Sequence, residues 1–174
     1  MAILGAAVVV LAVVVLLNLL ITFAVLRRLR SHESLLAGGS GVSDSDAELL
    51  GRTLPEFDAV STAGAAVTNT SDTARMVGFF SATCAPCRDQ AAAFAVHDDP
   101  NRVAFVLMEG APEADRDAIL AALAGSPTVV VEPASTQVTE AMGVRSFPQI
   151  LQLDATGVVV SAGHSVRALA GTGR

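Results

Sequence analysis

Residues 79–88 read Phe79-Phe80-Ser81-Ala82-Thr83-Cys84-Ala85-Pro86-Cys87-Arg88, and this stretch holds the only two cysteines of the chain. An apolar run of strand length, 76–80 (MVGFF), leads into it. The segment from Cys84 to about Val96, with Ala91, Ala92, Ala93 and Phe94 near its middle, has the composition of a helix. Strand, cysteine, helix is the predicted local order. A cysteine at such a junction sits at a helix N-terminus, where unpaired N–H groups and the positive end of the helix dipole favour thiolate over thiol. This makes Cys84 the expected nucleophile. Cys87, one turn further on, is placed to attack a mixed disulfide on Cys84 and release a reduced substrate. Pro86 falls in the first helical turn, where a missing N–H costs little, and it stiffens the loop between the sulfurs.

Two plainer readings of the pair compete with redox chemistry. A purely structural disulfide closing so short a loop would constrain the unfolded chain very little. A closed zinc site needs about four ligands, and beyond the cysteines the chain offers only His32, His97 and His164, none at finger-like spacing. A redox dithiol without metal or bound cofactor is therefore expected.

The flanking sequence alternates strand and helix. Residues 103–108 (VAFVLM) read as a second buried strand, and 112–124 as a helix with Pro112 in its first turn, Glu113, Asp115 and Asp117 near its positive end, and Gly125 as its stop. Ile119, Leu120 and Leu123 would face the sheet. A third strand is expected at 128–131 and a short helix at 135–142, ended by Gly143. After Pro148, the runs 149–153 and 158–161 flank Asp154, Ala155, Thr156 and Gly157 and read as an antiparallel hairpin. The predicted class is α/β, with a mixed central sheet flanked by helices.

In this order and with these motifs, the chain resembles the thioredoxin fold, and specifically the membrane-anchored thiol:disulfide oxidoreductases of the TlpA-like, ResA-like and MauD-type group. The likeness covers about 51–163. It rests on the opening Gly51-Arg52-Thr53-Leu54-Pro55-Glu56-Phe57, the strand followed by Cys84-Ala85-Pro86-Cys87, the segment Arg145-Ser146-Phe147-Pro148, and the closing hairpin with Asp154 and Gly157. The resemblance implies a cis peptide before Pro148, packing of that proline against the cysteine pair, and pairing of the Phe147 backbone with an extended substrate. It also implies an extra βα insertion, here about 109–131. Three positions depart from related sites: Thr83 stands where a Trp is usual, Gly78 where thioredoxin has a buried acid, and Gln90 where several heme-maturation relatives have an acid. The usual proton acceptor for Cys87 is thus missing, and Asp89 reads as a solvated helix acid.

The N-terminal part of the chain is of another kind. The 174 residues are 52% hydrophobic and only 16% charged, and the excess is concentrated in residues 1–26, which contain no charged side chain. At about 1.5 Å per residue, a helix over residues 2–26 spans roughly 37 Å, enough for a hydrocarbon core of about 30 Å. One transmembrane helix is expected, with anchor and basic flank over 1–30, a flexible linker over 31–50 that includes Gly38, Gly39, Ser40 and Gly41, and a thioredoxin-like domain over 51–174. A cleaved signal peptide fits less well, because no basic segment precedes the run. Arg27, Arg28 and Arg30 follow the span directly, and by the positive-inside rule this places the domain in the cytoplasm. The resemblance implies the opposite face, and a single-pass protein of the cell membrane with an extracytoplasmic domain is the reading adopted.

Charge and composition also limit the partners. All 11 basic residues are arginine, the net charge is −6, and Trp and Tyr are absent. An acidic globule without stacking platforms excludes nucleic acid. The expected partners are protein disulfides or dithiols, membrane lipid around the N-terminal helix, and an electron donor. That donor is a membrane thiol transporter outside the cell or a thioredoxin reductase system inside it. Two other functions compete. Ser81-x-x-Cys84 with the Leu-Pro-x-Phe opening also resembles peroxiredoxin-like thiol peroxidases, although Val77 stands where they have a proline. A non-catalytic thioredoxin-like adaptor is the other, and the retained pair of cysteines argues against it.

Overall fold

The computed structural model describes residues 11, 15, 16, 18, 44–68, 76–126 and 128–169. The chain divides into two compact units, Met1–Ala37 and Gly38–Arg174, and every element named below belongs to the second. Of the span expected at 1–26, only Leu11, Val15, Leu16 and Asn18 are described, all helical and exposed. That expectation otherwise lies outside the described residues. Among the described residues, no helix is long and apolar enough to cross a membrane.

The apolar run before the cysteines forms β3 (Met76–Ser81), the central strand of a five-stranded sheet. Both its faces are covered, which is why it is continuously apolar instead of alternating. Successive side chains point to opposite faces. Met76 and Phe80 join one core with Cys87, Ala91, Phe94, Val106 and Ile119, while Val77 and Phe79 join a second with Phe105, Val138, Met142 and Leu151.

Chain order around β3 follows the predicted alternation. Helix α2 (Ala85–Ala95) crosses over to β4 (Arg102–Leu107), which pairs parallel with β3, and α3 (Glu113–Ala122) crosses to β5 (Thr128–Val130), parallel to β4. Helix α4 (Ala134–Met142) returns the chain to β6 (Gln149–Leu153), antiparallel to β3, and β7 (Val159–Gly163) closes the sheet in the order β5-β4-β3-β6-β7. A last short helix, α5 (Val166–Leu169), buries Val166 and Leu169 in the first core. The 109–131 insertion is thus α3 with the edge strand β5. Glu132 ties its far end back to β4, accepting hydrogen bonds from the Met108 and Glu109 N–H groups at 2.6 and 2.8 Å.

Element ends differ from expectation by one to a few residues. Helix α3 has Pro112 as its N-cap and ends at Ala122, ahead of Gly125, with Ile119 and Leu123 buried and Leu120 packed at the margin. Helix α4 ends where expected, on Gly143 in the left-handed conformation at φ 73°, a backbone geometry that glycine adopts without a Cβ penalty.

Packed chain also begins ahead of Gly51. A short helix, α1 (Asp44–Ala47), is followed by the buried Leu49 and contains the buried Asp46, so the end of the expected linker is anchored on the domain. Residues 51–62 then cover both sheet edges. Gly51 and Arg52 exchange backbone hydrogen bonds with Val159 of β7 at 2.9 and 2.8 Å, and the Thr62 N–H donates to Val129 of β5 at 2.9 Å. An unexpected two-stranded ribbon, β1 (Asp58–Val60) with β2 (Ala66–Thr68), begins in this segment. Covered edges remove the exposed N–H and C=O rows that invite strand-to-strand aggregation.

Gly78 marks the tightest point beneath the site. A Cβ there would meet Cε2 and Cζ of Phe80 at 2.5 and 2.8 Å and Cε2 of Phe94 at 3.1 Å. Those rings form an edge-to-face pair with centroids 5.5 Å apart, and both are fully buried. Neither can yield without disturbing the other. Gly78→Ala is expected to destabilise the domain by about 1–3 kcal/mol through overpacking, read as a lower urea midpoint at unchanged slope.

Candidate active site

Cys84 is the N-cap of α2 with extended backbone (φ −93°, ψ 111°), and Pro86 follows in the first turn. The turn is fastened by the Cys84 N–H donating to Ser81 O and the Cys87 N–H donating to Cys84 O, both at 3.1 Å. Cys84 is half-buried, Cys87 fully buried, and both are free thiols. The outward surface of the turn is Thr83, Ala85 and Pro86, all exposed. The Thr83 and Ser81 hydroxyls are hydrogen-bonded at 3.0 Å.

The second wall comes from the loop between α4 and β6. The Phe147–Pro148 peptide is cis, as the resemblance implied, and Pro148 is buried while Phe147 is half-buried against both cores. The Cys84 thiol donates to Phe147 O at 3.3 Å. The residues singled out from sequence therefore adjoin: Thr83 and Cys84 in the turn after β3, Pro86 and Cys87 in the first turn of α2, and Phe147 and Pro148 in the loop before β6.

The two thiols are electrically unlike. The hydrogen bond from the Cys87 side chain, with a smaller contribution from the Cys87 N–H, outweighs burial and lowers the Cys84 thiol from 9.0 to about 7. Cys87 is pushed well above an ordinary thiol, because it donates to Cys84 and is buried. The sequence attributed the activation of Cys84 to the helix N-terminus. In the structure the Cys87 N–H at that end contributes, and the hydrogen bond from the partner sulfur contributes more. A partly exposed thiol with a pKa near 7 is a nucleophile at neutral pH. The iodoacetamide alkylation rate of the reduced protein should accordingly rise with a midpoint at about pH 7. Cys87→Ala removes the donor and should move that midpoint up towards 9.0, as measured by alkylation rate against pH.

No protein-family model matches the chain, and no curated protein does. Solved structures do. The thioredoxin domain of a thiol-disulfide oxidoreductase from Bacteroides vulgatus aligns with a TM-score of 0.52 at 19% identity, over 69% of this chain and 91% of that one. The fold is the thioredoxin fold. A thio-disulfide isomerase from Thermus thermophilus (TM-score 0.52, 20% identity, 70% of this chain and 92% of that one) and StoA from Bacillus subtilis (0.52, 15%, 64% and 88%) share it. At these identities the likeness carries the fold, and the chemistry rests on the residues themselves.

Within this thioredoxin fold, the positions that depart from related sites have structural occupations. Gly78 leaves room for the Phe80–Phe94 pair under the thiols. Gln90 is structural, its Oε1 accepting from the Val166 N–H at 3.3 Å and so joining α2 to α5. Asp89 is exposed. Three residues that sequence reasoning did not assign to the site also meet behind the cis peptide: Asp46, Gln149 and His164. A glutamine directly after the proline, at the head of a buried strand, was the one available sign.

Proposed function

We propose that this chain is a thiol:disulfide oxidoreductase that exchanges disulfides with protein substrates through Cys84 and Cys87. The observation that carries the reading is the asymmetric pair: a half-exposed Cys84 thiol lowered to about 7 beside Phe147 O, with Cys87 buried behind it as its hydrogen-bond donor. In the reducing direction, the Cys84 thiolate attacks one sulfur of a substrate disulfide. That bond breaks, the departing substrate thiolate takes up a proton, and a mixed disulfide forms. Cys87 then loses its proton and attacks Cys84 Sγ, expelling the second substrate thiolate. The substrate gains two electrons, and the chain is left with a Cys84–Cys87 disulfide that a dithiol donor must reduce. The oxidising direction is the reverse. Each step balances on sulfur alone, without a bound cofactor. Phe147 and Pro148 supply the backbone beside which the substrate segment lies.

The test sets insulin reduction against hydrogen peroxide consumption by the reduced protein. Rapid insulin reduction with slow peroxide consumption supports the proposal. The opposite ranking makes the chain a thiol peroxidase, and loss of neither cellular phenotype nor partner binding in Cys84→Ala, Cys87→Ala makes it an adaptor.

The proposed setting is a membrane, with residues 1–26 as a single-pass anchor and the domain on the extracytoplasmic side, where a membrane thiol transporter would act as donor. The absence of charge across that run supports the anchor. A membrane-impermeant maleimide applied to intact cells is expected to label Cys84. Labelling only after lysis would instead place the domain inside, facing a thioredoxin reductase system, as the arginines at 27, 28 and 30 would have it.

A further inference from the structure

The loop from Arg145 to Pro148 has no regular secondary structure, so a few hydrogen bonds fix its position. At its start, the Val144 N–H donates to Thr139 O at 3.1 Å. Near its end, Phe147 O accepts from Cys84. Pro148 has no N–H to give and lies beyond the β3–β6 ladder, whose last pair is Phe79 with Gln149. Its carbonyl therefore needs a donor from elsewhere.

That donor is His164, immediately after β7. Its Nδ1 lies 2.7 Å from Pro148 O. A carbonyl oxygen only accepts, so Nδ1 carries the proton in this contact. On the other side of the ring, Nε2 lies 3.6 Å from Oδ1 of Asp46, whose side chain is 4% exposed against 22% for His164. The same Oδ1 accepts from Gln149 Nε2 at 2.9 Å, and that amide also donates to Gly163 O at 3.3 Å. Three separate parts of the chain, α1, the head of β6 and the end of β7, are thus joined in one buried polar cluster directly behind the cis peptide.

We propose that His164, through the bond from Nδ1 to the Pro148 carbonyl, is a positioning residue that fixes the Phe147–Pro148 backbone for polypeptide substrates. This rests on the oxidoreductase reading above. Attack of Cys84 on a small disulfide needs only the thiolate. A polypeptide disulfide must also lie along the Phe147 backbone, so loss of the Pro148 anchor selectively weakens polypeptide substrates. His164 touches neither thiol in this account, and its effect passes through the Pro148 carbonyl.

The experiment uses the full chain in detergent with two substrates, insulin and the small aromatic disulfide 5,5′-dithiobis(2-nitrobenzoate). His164→Ala should raise the KM for insulin about five- to tenfold, the loss expected of one part-buried hydrogen bond. The rate with the small disulfide should stay within about twofold, which also reports that the site remains folded. His164→Asn, whose Nδ2 can occupy the place of Nδ1, should restore the insulin KM. Should His164→Ala fail to fold, His164→Phe, which keeps a ring and removes the donor to Pro148, gives the same reading, with a raised insulin KM and an unchanged small-disulfide rate. Equal losses with both substrates, wild-type behaviour of both His164→Ala and His164→Phe, or no restoration by asparagine would overturn the positioning role. Absence of exchange with either substrate in the wild type would instead remove the oxidoreductase reading beneath it.

Discussion

Cys84→Ser should lower insulin reduction to background, whereas Cys87→Ser should keep the first half of the reaction and accumulate a mixed disulfide with the substrate. The difference follows from burial. Only Cys84 presents a partly exposed sulfur, and Cys87 is fully buried behind it. A serine hydroxyl at position 84 forms no bond to sulfur under these conditions, so turnover has no first step. At position 87 a serine still allows attack by Cys84 and removes the group that resolves the adduct. The Cys84 thiol also loses its principal hydrogen-bond donor when Cys87 is replaced by a residue that does not donate. Trapping by Cys87→Ser should therefore be faster than by Cys87→Ala at pH 7, since serine retains a hydroxyl donor. Non-reducing gel shifts and intact mass identify the adduct. An adduct that formed on Cys87 and survived loss of Cys84 would reverse the assignment.

The second large effect is on stability and concerns Arg102. This side chain is 6% exposed and has no carboxylate partner at ion-pair distance among the described residues. Its guanidinium instead donates to Ala95 O at 2.8 Å and Gly125 O at 3.5 Å, and to the carbonyls of His97 and Asp99. The first of these carbonyls lies at the C-terminal end of α2, where a positive charge is favourable. Arg102→Met keeps the apolar stem and leaves the buried Ala95 carbonyl and three part-buried ones without this donor, at a cost of about 3 kcal/mol. Arg102→Lys should cost less, because an ammonium still donates to some of these carbonyls, though without the planar fork that reaches several acceptors together. Arg102 pairs with Met76 at the start of the parallel β3–β4 ladder, and the thiols follow its far end. The urea midpoint should fall while the folded protein keeps its alkylation profile.

What could be read from sequence was what burial and spacing write locally. Strands β3 and β4 are continuous apolar runs because both faces are covered, and the cysteine pair lies where strand turns to helix. Glycine at the end of α4 and at the β6–β7 turn marked positive φ (73° and 78°). The ribbon of β1 and β2 was not legible, since its three-residue strands show only a single partly buried position each. The same holds for α1, four residues whose place depends on contacts across the fold. Asp46 and Gln149, hydrogen-bonded in the structure, are 103 residues apart in sequence. His164 was considered from sequence only as a metal ligand, because its role depends on a carbonyl that no residue pattern displays. The activation of Cys84 was expected from the helix end, where the Cys87 N–H contributes; the larger contribution of the hydrogen bond between the cysteines is not displayed by spacing alone.

The central claim is that Cys84 and Cys87 act as one two-electron couple. Equilibration of the full chain in buffers of graded reduced to oxidised dithiothreitol, followed by acid quench, alkylation and intact mass, tests it directly. A single reversible transition is expected, in which both thiols lose their alkyl labels together. A chain that stays doubly alkylated across the whole range, or loses one label and gains oxygen at Cys84, would contradict it.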